Sequence, residues 1–123
     1  MDYTKKIARL LLGLILIIYG INGFFGFFPP MPERAQQMLD NMGFWLYNVH
    51  LIEIIVGIAL LLNRFVPLAL LVLAPISLNI LAFHLVFYPS GILPGALVAL
   101  LNAYLIYEHF DFYRPLFRKR PAQ

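Results

Sequence analysis

The sequence predicts an all-α fold: a four-transmembrane-helix bundle with a short interfacial amphipathic helix between helices 1 and 2. Three observations predict it. Of 123 residues, 62% are hydrophobic and 12% charged, with a mean hydropathy of +0.82. An ordinary soluble domain carries about 45–50% apolar and about 25% charged residues. The charge-poor runs also reach the roughly 20 residues that cross about 30 Å of hydrocarbon. These runs lack the alternation of barrel strands, and only helices or closed barrels span a bilayer. The length leaves room for a single integral membrane domain over residues 1–123.

Helix 1 is placed near residues 6–28, because residues 10–28 hold no charge. Lys5, Lys6 and Arg9 resemble the basic start of a signal peptide. The run is long, however, rich in glycine and aromatics, and without a small-x-small cleavage site, so it reads as a retained span. The stretch from Pro29 to Gly43 forms the one long loop. Within it Met31, Ala35, Met38, Leu39 and Met42 share a helical face, with Glu33, Arg34, Gln36, Gln37 and Asp40 elsewhere. That predicts an amphipathic helix near 32–42, lying in the outer membrane interface.

Helix 2 is placed near 44–63, with Glu53 as its single charge. Residues 65–107 carry none, too long a run for one span. Tyr88-Pro89-Ser90-Gly91 is a turn signal, and Pro94 suits the first turn of a new helix. Helix 3 therefore falls near 65–88 and helix 4 near 92–110. Pro75 removes one backbone donor and should kink helix 3, with Ser77 helping to satisfy a freed carbonyl.

In this topology Lys5, Lys6, Arg9, Arg64, Arg114, Arg118, Lys119 and Arg120 gather at one end, and Arg34 stands alone at the other. The positive-inside rule then predicts a multi-pass protein of the inner (cytoplasmic) membrane, with both termini cytoplasmic. The net charge of +3 is read as topology signal and anionic-lipid anchor, which excludes a nucleic-acid role. The absence of cysteine excludes disulfides, thiolate metal sites and dithiol redox chemistry. Lipid tails are as apolar as leucine, so small residues and buried polar groups must hold the helices together. Gly13, Gly20, Gly23 and Gly26 on helix 1, Gly57 on helix 2 and Gly95 on helix 4 are candidates for close approach.

Ionisable residues within a span are costly, and each is a functional hypothesis. Glu53 lies near the midplane, with His50 one turn away on the same face. Helix 3 supplies Asn79 and His84, helix 1 Tyr19 and Asn22, and helix 4 Asn102. The simplest arrangement points them at a shared cavity opening outward. Glu53, His50 and His84 are the candidate catalytic residues; Asn22, Asn79, Asn102 and Tyr19 are candidate ligand contacts. The three asparagines also suit interhelical hydrogen bonds, and Glu53 suits structural pairing as well as proton handling. A di-metal carboxylate site would need more carboxylates than the one available, so no metal is expected. Two chemistries remain. His50 and His84 lie at comparable depths and could ligate a haem b iron axially. A quinone wants an apolar slot with placed donors and a protonatable group near each carbonyl.

Three stretches resemble the DoxX family of small bacterial four-helix membrane proteins. They are ARLLLGLILIIYGINGFFGFF in helix 1, VHLIEIIVGIALLLNRFVPLALL with Glu53 and Gly57, and LAPISLNILAFHLVFYPSG with Asn79 and His84. The resemblance covers roughly residues 7–115. It implies a compact four-helix bundle, and some members resemble small subunits of thiosulfate–quinone or quinol-oxidase complexes. The expectation is a redox-associated subunit that binds a quinone-like lipophile in a polar pocket around Glu53, with the bilayer and another membrane or redox subunit as partners. A non-catalytic scaffold and a small-solute or proton-coupled carrier are the alternatives, and a homo-oligomer is compatible with either.

Overall fold

The computed structural model describes residues 3–119, so Arg120 of the basic tail lies outside the described residues. Four helices are long and apolar enough to cross a membrane. They are α1 (Tyr3–Phe25), α3 (Phe44–Leu62), α4 (Val66–Phe87) and α5 (Ile92–Glu108), the last preceded by a 3-10 turn at Pro89–Gly91. The short α2 (Glu33–Met42) lies between α1 and α3, and α6 (Phe110–Tyr113) follows α5. Among the described residues there is no strand. Each spanning helix packs against two main neighbours, in the cyclic order α1, α3, α4, α5.

Helix ends differ from expectation by a few residues, for local reasons. The α1 helix stops at Phe25 rather than 28, because Gly26 turns to φ +64° and the Asn22 side-chain oxygen accepts a hydrogen bond from the Phe28 amide at 2.8 Å. Gly26 is therefore a turn residue and contributes nothing to the glycine face of α1. At the opposite end of the bundle, Asn63 adopts the left-handed conformation and its amide closes the last turn of α3 on Ala59 and Leu60. That permits a three-residue connection into α4. Phe65 is also left-handed, at φ 54°, a rare conformation for a bulky side chain.

Each helix turns a stripe inward with helical period. On α3 it is Glu53, Val56, Gly57 and Leu60; on α4 it is Val66, Ala69, Leu70, Leu73 and Ser77; on α5 it is Gly95, Val98, Asn102 and Leu105. The α1 stripe contains Leu12, Gly13, Leu16 and Gly20. A Cβ on Gly57 would stand 2.8 Å from the Gly13 carbonyl, so α1 and α3 touch backbone to backbone there. At the basic end the Arg9 guanidinium donates to the Leu60 carbonyl, and the Tyr113 hydroxyl donates to the Pro67 carbonyl at 2.6 Å. These bonds tie the first turns of α1 and the end of α6 to the residues flanking the α3–α4 turn. At the loop end Ala35 of α2 is fully buried and the Arg34 guanidinium sits 4.9 Å from the Phe87 ring centre. The amphipathic helix thus packs its Ala35 side against the loop end of the bundle.

Candidate functional site

Glu53 stands on the inward stripe of α3, nine residues from its start at Phe44, or about 14 Å at 1.5 Å per residue. It is 3% exposed. An isolated charge at such depth costs about 2.5–3.5 kcal/mol on insertion scales, and the fold supplies a partner. His50 Nδ1 lies 2.7 Å from Glu53 Oε1, one helical turn toward the loop end. The bond holds its proton in either of two positions: on Nδ1, donating to a carboxylate, or on the acid, donating to the imine nitrogen. The His50 side chain keeps 18% of its surface, against 5% for Glu53, so the imidazole is the more open end of the pair.

The ring of His50 is held by α1. A Cβ on Gly23 would lie 2.1 Å from its Cδ2 and 2.4 Å from its Nε2, so only glycine leaves room for it. Phe24 approaches its edge, with ring centres 6.3 Å apart, and stacks on Tyr47 at 5.6 Å. Both aromatics are exposed. Together they frame the imidazole on the side of the bundle where α1 meets α3.

The remaining polar residues make their hydrogen bonds elsewhere among the described residues. The buried Asn102 amide donates to the Leu70 carbonyl at 3.1 Å and its oxygen accepts from Ser77 Oγ at 2.9 Å. That link clamps α5 to α4. Ser77 Oγ also approaches the Ala74 carbonyl at 3.0 Å, not that of Leu71, which Pro75 deprives of its usual donor. His84 forms a third group. Its Nδ1–H donates to the Ile80 carbonyl at 2.8 Å, its ring stacks on Tyr88 at 5.8 Å, and Gly95 of α5 leaves it space. Tyr19 packs edge-on to Phe28 at 4.9 Å, and the Asn22 side chain serves the turn after α1. Among the described residues no hydrogen bond connects one group to another.

This geometry bears on three expectations. The polar residues expected to share one outward-opening chamber make no hydrogen bond with the His50–Glu53 pair among the described residues, and two concavities lie elsewhere, an apolar groove between α3 and α4 that includes Ile52, Ala59, Leu68 and Val72, and a hollow beside Glu108 and Arg114. Asn79 does not face the interior; it is exposed, and its amide donates to the Pro75 carbonyl of its own helix at 2.9 Å. His50 is seated against Gly23 of α1 and His84 against Gly95 of α5. Among the described residues no three candidate ligands cluster as a metal site. The sequence reading missed Ser77 as partner of Asn102 and Gly23 as the cradle of His50. The second was open to counting, since both lie within two turns of the loop end of their helices.

A family model described as DoxX matches residues 5–88. Neither the curated proteins nor the solved structures contain a significant match.

Proposed function

The chain belongs to the DoxX family, and from that premise we propose that it is a redox-associated membrane subunit that handles a proton at the His50–Glu53 pair, beside a quinone-like lipophile. The observation that carries the reading is the buried carboxyl whose one hydrogen bond among the described residues leads to a part-exposed imidazole. Such a pair stores a proton at one depth and releases it at another, as a general acid or base must. Phe24 and Tyr47 give a planar headgroup an aromatic edge to lie against, reached sideways from the membrane. A quinone would supply the two-electron, two-proton couple. The protein's own residues position it and exchange the proton; electrons come from a partner subunit. We further place both termini and the α3–α4 turn on the cytoplasmic side of the inner membrane, because Lys5, Lys6, Arg9, Arg64, Arg114, Arg118 and Lys119 gather there.

The test is mass spectrometry of lipophiles extracted from the full chain purified in mild detergent. The expected result is a quinone-class molecule near one per chain, reduced several-fold by His50→Phe and by Phe24→Ala/Tyr47→Ala. No such molecule, or equal recovery from all variants, overturns the reading. A second reading, a non-catalytic scaffold, is favoured by the closed packing of His50 against Gly23. It predicts that Glu53→Gln lowers thermal stability and leaves the cellular redox state unchanged.

A further inference from the structure

Asn79 poses a problem that the isolated chain does not solve. It lies eight residues from the loop end of α4 at Phe87, about 12 Å along the axis, and its side chain is exposed. At that depth the surroundings are hydrocarbon, where an unsatisfied polar group costs several kcal/mol. One amide hydrogen is used on the Pro75 carbonyl. The second hydrogen and the oxygen have no partner among the described residues. One turn of the same face further on, Pro75 leaves the Leu71 carbonyl without its usual donor. The lipid face of α4 therefore carries both a donor and acceptors in need of partners.

We propose that this face pairs with a second copy of the chain, α4 against α4, with Asn79 opposite Asn79. An amide is self-complementary: each can donate its free N–H to the other's oxygen across a two-fold axis. That chemistry favours a second copy over a lipid, whose tails offer nothing to an amide. The flanking residues allow the approach. Val72, Pro75, Asn79, Ala82 and Val86 are all exposed and recur at steps of three and four, the spacing of a helix–helix seam. Ala82 lets the partner backbone come close beside the amide. This face is separate from the His50–Glu53 pair, so the inference stands apart from the proposed redox role.

The chain has no cysteine, so a single introduced thiol reports its own neighbours. Full-length Ala82→Cys and Val86→Cys are oxidised in native membranes, with Leu100→Cys on exposed α5 surface as control. The expected result is a disulfide-linked homodimer several-fold more abundant for the α4 positions than for the control. Adding Asn79→Leu to Ala82→Cys removes both bonds of the reciprocal pair and should lower the cross-link at least about 3-fold, the average worth of a single interhelical hydrogen bond in a membrane; Asn79→Gln should restore most of it. Equal cross-linking at Ala82→Cys and Leu100→Cys, capture of a different protein alone, or indifference to Asn79→Leu each overturns the proposal. The comparison of positions holds even if Asn79→Leu fails to fold.

Discussion

Gly23→Ala is expected to act through one imidazole. A Cβ there would stand 2.1 Å from His50 Cδ2, against an ordinary contact of 3.4 Å or more, a shortfall of roughly 1.3 Å. Two responses are available. The ring can swing aside, which breaks its 2.7 Å bond and leaves a carboxyl that is 3% exposed without its partner. A buried group orphaned in this way costs about 1–3 kcal/mol. Alternatively α1 and α3 can separate, which opens the Gly13–Gly57 crossing, and overpacking of that kind costs about 1–3 kcal/mol. Either route destabilises by about 2 kcal/mol. His50→Ala removes the ring, and in that background Gly23→Ala meets no imidazole. It should then be neutral or slightly stabilising, since alanine favours a helix over glycine by about 1 kcal/mol. The assay is a double-mutant cycle on thermal unfolding in mild detergent, followed by circular dichroism. A coupling of about 1–3 kcal/mol supports the contact. Equal losses in both backgrounds refute it.

Three further outcomes test the packing. Gly26→Ala should lose about 1 kcal/mol through backbone strain alone, because φ is +64° and no atom lies within 4 Å of a new Cβ; Gly26→Asn should lose less on the same melting assay. Ser77→Ala should lose about 1–3 kcal/mol by orphaning the buried Asn102 oxygen, and that loss should shrink when combined with Asn102→Leu. Tyr113→Phe should lose about 1 kcal/mol at neutral pH with its bond to the Pro67 carbonyl. Burial raises the Tyr113 phenol above its ordinary 10.0, so its contribution is whole below that pH and fades as pH rises through the higher folded value. Unfolding followed into the alkaline range should therefore fall less steeply for Tyr113→Phe than for the natural chain.

The spans and the His50–Glu53 pair were legible because each rests on a rule internal to one helix. Charge-free length marks a span, and residues three apart share a face. Choice of neighbour was not legible. In water the apolar stripe of a helix names its inner side, but α4 is apolar all round, so its hydrophobic pattern points nowhere. The cue lay in the phase between polar residues instead. Ser77 and Asn79 are two positions apart, about 200° around a helix, so they face opposite ways. Ser77 and His84 are seven apart, nearly in register, and both turn inward. With Ser77 turned to Asn102 of α5, Asn79 faces away from the bundle. A shared chamber needed Asn79 and His84 on one face, yet they are five positions apart, about 140° around a rigid helix. The same rigidity makes Asn79 informative, since a helix already fixed by Ser77 and His84 cannot rotate to hide the amide, and only another molecule can cover it.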